Sequence, residues 1–289
     1  MSEKIVYTKK DDKNPIVLNQ EGEIPWFYFP LLQETGLVHH GFSTRLGGVS
    51  SGQFATMNFN MTLGDDFEHV EENFRRFCKA IGCDWNRAVM THQTHTVNIR
   101  TVTKDMLSDG RTLTEKKPFT DVDGLITNVP GAVLITSFAD CVPLYFLDPV
   151  KRVIGLSHSG WRGTVNRMGG VTVRRMQEVY GCDPADILAC VGPSICRDCY
   201  EVGPEVADEF SSVFGQDEIL QILWKNSAGR YQLDLWKTNE LILKEAGIRP
   251  EHLAVTNVCT CCNPQLLFSH RYTKGKRGNL CAFLSLTDE

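Results

Sequence analysis

Three apolar runs crowd into one short span of the chain. Ala132–Phe138, Val142–Leu147 and Val153–Ser157 are rich in β-branched and aromatic residues, and Asp148-Pro149 separates the last two. Runs of this kind read as strands, and Asp-Pro favours a turn. Their ends are polar. Ala139-Asp140-Cys141 stands between the first and second runs, and His158-Ser159-Gly160-Trp161-Arg162-Gly163-Thr164 follows the third. Neighbouring strands that end this way can bring a cysteine and a histidine together in space.

The rest of the chain supplies both element types. Val70, Phe74, Phe77 and Ile81 share one helical face over Phe67–Ile81, and Gly82 is a natural stop. Helices are also predicted over Thr164–Tyr180, with Gly169-Gly170 weakening it, and over Pro204–Phe214 and Leu235–Ala246. Further strands are predicted at Leu37–Arg45, Ala88–His92, Val97–Val102, Ile187–Val191, Leu253–Val258 and Leu280–Leu286. Residues 104–121 are charged and threonine-rich and read as an excursion over the surface. Strands come in runs and helices do not alternate strictly with them. This predicts an α+β fold rather than a doubly wound sheet. Residues 1–24 read as a peripheral strand or arm, and residues 25–289 as one catalytic domain.

Composition narrows the function. The 289 residues carry 30 Lys and Arg against 35 Asp and Glu, a formal charge of −5, so bulk charge offers no footprint for nucleic acid or an anionic membrane. The N-terminus lacks the apolar run of a secretory signal, and no window approaches the roughly 20 apolar residues of a membrane span. The expectation is a cytoplasmic protein. Eleven cysteines, an odd number without an export signal, predict reduced thiols rather than a disulfide framework.

Cys141 and His158 are two candidate ligands of an open metal site, because thiolate and imidazole bind zinc and three protein ligands leave one position free. The third is His92 or His95, and spacing alone does not choose between them. Asp140 either orients a histidine, acts as a base or caps a turn. The same Cys141–His158 pair also fits a metal-free nucleophilic dyad, with backbone amides near Gly160 as an oxyanion site. Arg45 and Arg162 follow strands beside glycines and are the candidate anion-binding groups. The loop Leu46–Gly52 is either a ligand cradle or a surface turn. Cys196-Arg-Asp-Cys199 and Cys259-Thr-Cys261-Cys262 could form a structural zinc site, but buried thiols are the favoured reading.

Several ordered motifs resemble a known family. They are Phe42-Ser43-Thr44-Arg45 with Gly47-Gly48-Val49-Ser50, Asn58-Phe59-Asn60, Gly64-Asp65-Asp66, Gln93-Thr94-His95, Ala139-Asp140-Cys141-Val142-Pro143 and His158–Thr164. Gly192-Pro193-Ser194-Ile195, Tyr200-Glu201-Val202-Gly203, Leu233-Asp234-Leu235, Cys259-Thr260 and Phe268-Ser269-His270-Arg271 complete the set. The chain resembles the laccase-domain family, also called polyphenol oxidase-like or peptidoglycan editing factor proteins and described as purine nucleoside phosphorylases. The resemblance implies a layered αββα-type domain with mixed sheets and a metal site of His95, Cys141 and His158, leaving His92 structural. It implies zinc, with copper possible, and purine nucleoside and phosphate as partners. The implied reactions are phosphorolysis of adenosine, inosine and methylthioadenosine, and deamination of adenosine. Cys141, His158 and Asp140 are then the candidate catalytic groups, and Arg45 and Arg162 the substrate anchors. Three departures stand out: Thr94 where the family has Val, Tyr272 where it has a basic residue, and Gly278-Asn279-Leu280 where Gly-Arg-Met is common. Arg277 is a candidate replacement for the lost basic contact.

Two other enzyme classes and a binding module compete with that reading. A Cys–His amidase acting on cell-wall precursors needs little beyond the dyad. A copper phenol oxidase of the multicopper type needs about ten histidines in paired H-x-H motifs, whereas this chain has eight and no H-x-H. A non-enzymatic binding module fits poorly with so many polar groups at strand ends.

Overall fold

The computed structural model describes residues 4–107 and 119–288. Two sheets dominate. The larger has seven strands in the order Val17–Asn19, Trp26–Tyr28, Val38–Ser43, Leu280–Leu286, Val133–Phe138, Ala88–His92 and Phe119–Thr120. The second has six: Leu253–Val255, Leu188–Val191, Val142–Asp148, Val153–Ser159, Gly124–Thr127 and Ile99–Thr101. Both are mixed. Ala88–His92 runs parallel to Val133–Phe138, for example, while Leu280–Leu286 is antiparallel to it.

Alternation along the strands builds four layers. Side chains of successive strand residues point to opposite faces. Leu134 and Phe138 therefore meet Tyr145, Leu147, Ile154 and Leu156 between the sheets. Val133 and Ile135 instead face the helix Phe67–Ile81, together with Phe74, Phe77 and Phe283. Val142, Leu144 and Phe146 leave the second sheet on its far side, against Val173, Met176, Ile242 and Leu243 of the helices Met168–Tyr180 and Leu235–Glu245. The result is the αββα layering that the family resemblance implies.

The helix Phe67–Ile81 has the bounds its periodicity predicts. Asp66 caps its start by accepting from the Glu68 N–H, and Gly82 ends it at φ 78°. The predicted helix Thr164–Tyr180 is instead two helices, Trp161–Val165 and Met168–Tyr180, because Arg167 sits between them at φ 60°. Gly169 is tolerated within the second helix because the chains approach closely there. A Cβ on it would stand 3.1 Å from Leu243 Cδ2. The predicted strands 97–102 and 253–258 shorten to Ile99–Thr101 and Leu253–Val255. Residues 4–24 lie on the body, with Val17–Asn19 paired to Trp26–Tyr28 at a sheet edge. Of the excursion expected at 104–121, residues 108–118 lie outside the described residues.

One connection decides where the polar ends go. The strands Val142–Asp148 and Val153–Ser159 form an antiparallel hairpin, with His158 opposite Pro143 and Ser159 opposite Val142. Val133–Phe138 belongs to the other sheet. The chain crosses between sheets at Ala139-Asp140-Cys141, and Asp140 makes that turn at φ 86°.

Candidate active site at the strand ends

The hairpin register brings Cys141 and His158 together, and His95 joins them from another element. One ligand atom each of His95, Cys141 and His158 lies within 4.8 Å of the others. His95 and His158 meet edge to face, with ring centroids 4.9 Å apart. Gly160 makes room for the set. A Cβ there would stand 2.8 Å from His95 Nδ1 and 3.0 Å from Cys141 Sγ.

Asp123 organises the three side chains. It is fully buried just before the strand Gly124–Thr127. One of its oxygens, Oδ1, lies 2.8 Å from His158 Nδ1 and accepts the His95 N–H at 3.1 Å. The other, Oδ2, accepts the N–H groups of Thr94 and Thr96 and the Thr96 hydroxyl. Three successive amides aimed at one carboxylate hold His95 in its left-handed conformation, φ 64°. An ionised carboxylate only accepts, so His158 Nδ1 carries a proton, and Nε2 is the nitrogen whose lone pair can bind a metal once the ring is neutral.

Electrostatics follow from this packing. Burial alone would pull His158 down, but Cys141 and the Asp123 carboxylate outweigh it and hold the ring up at about 9. Burial likewise opposes ionisation of Asp123, yet the bond to His158 and the Thr94 and Thr96 amides bring it to about 2. His95 is pushed down by burial and by His158. Two nitrogens and a sulfur, with a carboxylate behind one histidine, form a donor set that suits zinc or copper.

The set opens into a cleft of about 590 Å³. Arg162, Arg271 and Arg277 line it, with Tyr200, Trp161 and Phe59 among the aromatic walls. Arg162 lies 4.2 Å over the Trp161 ring, and its guanidinium meets no protein acceptor among the described residues. A second hollow, of about 430 Å³ beside His39 and Trp26, holds no such ligand set.

Two expected site residues have other duties. Arg45 does not line the cleft. Its Nε and Nη1 donate to the Ala55 and Pro264 carbonyls at 2.9 and 2.8 Å, and its guanidinium covers the Phe268 ring at 4.5 Å. The guanidinium is therefore committed to holding two loops together. Asp140 does line the cleft, but its oxygens accept from the Thr260 hydroxyl and the Arg271 N–H at 2.6 and 2.7 Å. It caps this turn, and the carboxylate that meets His158 is Asp123. The loop Leu46–Gly52 is likewise occupied by its own chain. A Cβ on Gly48 would lie 2.2 Å from the Thr56 carbonyl oxygen.

His92 ends its strand exposed at the cleft wall, outside the His95, Cys141 and His158 group. Asp123 was not singled out in the sequence, where Asp123-Gly124 reads as an ordinary turn. Arg277 and Asn279 line the cleft at the position of the Gly278-Asn279-Leu280 departure, whereas Tyr272 points away, 58% exposed.

Residues 39–287 match the family model described as multi-copper polyphenol oxidoreductase laccase. Over 251 residues the chain is 37% identical to purine nucleoside phosphorylase YlmD of Geobacillus stearothermophilus, covering 86% of this chain and 90% of that protein. It is 31% identical over 233 residues to adenosine deaminase RL5 from an unknown prokaryotic organism, covering 80% and 87%. The crystal structure of YlmD from Geobacillus stearothermophilus superimposes with a TM-score of 0.87 at 34% identity, covering 95% of this chain and all of that one.

Proposed function

Because the chain belongs to the multi-copper polyphenol oxidoreductase laccase family, we propose that it is a metal-dependent purine nucleoside enzyme with His95, Cys141 and His158 as ligands. The observation that carries this reading is the three-residue set lining an arginine-rich cleft. Relatives named purine nucleoside phosphorylase and adenosine deaminase support the substrate class. Zinc is the proposed metal, with copper the alternative.

A metal in this set supplies Lewis acidity toward a polar substrate atom. The protein's own groups do the rest. Asp123 fixes the His158 tautomer. Gly160 keeps the ligands accessible. Arg162, aided by Arg277, offers guanidinium N–H groups to phosphate, the anion that phosphorolysis requires. Aromatic walls at Phe59, Trp161 and Tyr200 suit a flat purine. The proposed reactions are phosphorolysis of adenosine, inosine and methylthioadenosine, and deamination of adenosine.

The test is to incubate zinc-loaded protein with adenosine, with and without phosphate, and to separate the products. Adenine appearing only with phosphate, and inosine without it, are expected, with Cys141→Ala inactive in both. Absence of all these products overturns the reading. Activity that survives a chelator and is lost on alkylating Cys141 would point to a Cys–His hydrolase instead.

A further inference from the structure

A second cluster lies outside the three-ligand set. The strands Leu188–Val191 and Leu253–Val255 are parallel neighbours, so the loops leaving their ends run side by side. The first loop carries Cys196-Arg-Asp-Cys199 and the second Cys259-Thr-Cys261-Cys262. An isolated bridge between Ser194 and Cys259 and the Thr260 N–H to Ser194 carbonyl bond lock the loops in register. The sulfurs of Cys196, Cys199, Cys259 and Cys262 consequently lie within 4.8 Å of one another.

All four thiols are free, and their spacing fits four sulfurs around one ion rather than two bridges. Cys199 Sγ and Cys262 Sγ are 3.6 Å apart. Zinc–sulfur bonds of about 2.3 Å at tetrahedral angles set sulfur–sulfur edges of about 3.8 Å. The backbone is arranged for thiolates. The Cys196 N–H donates to Cys259 Sγ at 3.2 Å. Lys10, paired with Asp198 at 3.1 Å, adds positive charge beside Cys196 and Cys262.

We propose that Cys196, Cys199, Cys259 and Cys262 form a closed tetrathiolate site for zinc, distinct from the open set in the cleft. Four protein ligands leave no position for substrate, so its role is structural. It clips two loops that the cleft depends on. The Ile195 N–H and the Thr260 hydroxyl both donate to Asp140, and Arg271 donates to the Cys199 carbonyl. Asp140 immediately precedes the ligand Cys141. The clip therefore holds the turn that presents Cys141, and this purpose replaces the buried-thiol reading of these four cysteines.

The test removes the first site to isolate the second. Full-length protein carrying His95→Ala and Cys141→Ser is purified reduced and without oxygen, then dialysed against a chelator. One equivalent of zinc should remain. Adding Cys199→Ser and Cys262→Ser should abolish it, while adding Cys261→Ser should leave it. Cobalt loaded in place of zinc should give an intense thiolate-to-metal charge-transfer band, lost in the same variants. Should the double serine variant fail to fold, mercurial titration of the His95→Ala, Cys141→Ser protein gives the answer, with one zinc released as four thiols react. The proposal is overturned if zinc content does not depend on Cys199 and Cys262. It is equally overturned if the four thiols react freely with no metal released, or if mass analysis finds them as disulfides. None of these outcomes bears on the cleft reading, because that site is disabled throughout.

Discussion

Asp123 Oδ1 and His158 Nδ1 are 2.8 Å apart, and the carboxylate has no solvent exposure. The same carboxylate receives the amides of Thr94, His95 and Thr96, so one buried group sets both the tautomer of one histidine and the backbone of another. Replacing Asp123 by Asn keeps the shape but puts an N–H₂ where donors converge. Metal affinity is expected to fall roughly ten- to a hundredfold, with a stability loss on the order of 2–4 kcal/mol for breaking the buried network. Competition for zinc against a chelator of known affinity, together with urea unfolding, reads both. Wild-type affinity in the variant would remove Asp123 from the site.

Gly160 tests the crowding of the ligand set. Alanine there places a methyl group 2.8 Å from His95 Nδ1 and 3.0 Å from Cys141 Sγ, inside van der Waals contact. Its backbone angles, φ −70° and ψ 179°, suit any residue, so the fold should survive. Gly160→Ala is expected to unfold at nearly the wild-type temperature yet retain less than about a tenth of the metal and activity. Full metal occupancy in the variant would show that the ligands are not so closely confined.

Arg45 and Arg162 look alike in sequence and differ in the fold. Arg45 is spent on the Ala55 and Pro264 carbonyls and the Phe268 ring, whereas Arg162 faces the cleft. Arg45→Ala should cost about 2 kcal/mol of stability and leave the KM for phosphate unchanged. Arg162→Ala should do the reverse, raising that KM about tenfold or more with little change in unfolding. Steady-state kinetics on both variants, with thermal melts alongside, separates the two. A phosphate KM raised by Arg45→Ala would reverse the assignment.

The individual helices and strands are legible because burial writes itself into periodicity, whereas the layering comes from the family resemblance. Phe67–Ile81 repeats every three to four residues, and the strand runs from Val133 to Ser159 are continuous because they are covered on both faces. Cys141 and His158 could be paired for the same reason, since a short turn makes their strands neighbours. His95 could not be chosen from spacing, because its direction depends on a left-handed residue held by Asp123, 28 positions away. Arg45 cannot be placed from sequence, because a guanidinium beside glycines looks the same whether its acceptors are a ligand or distant carbonyls. Contacts of this kind, such as that to Pro264 across 219 positions, leave no local signal.

His40 gives a pH dependence that is independent of the cleft. It is buried, its Nε2 accepts the Phe29 N–H at 2.9 Å, and it packs between Phe29 and Tyr145. Burial holds its pKa down at about 4, against an ordinary value of 6.5. Between those two values the unfolded chain binds a proton at His40 and the folded chain does not. Stability contributed by the neutral ring is therefore complete above about pH 6.5 and is lost as the pH falls, by about 2 kcal/mol at pH 5. Glutamine can keep the acceptor for Phe29 but cannot titrate. The unfolding free energy of wild type should accordingly drop by about 2 kcal/mol more than that of His40→Gln between pH 7.5 and pH 5. Other acid-sensitive groups, the cleft histidines included, are common to both proteins and cancel in the difference. Parallel curves for the two would mean that His40 takes up its proton in the folded protein near its ordinary value.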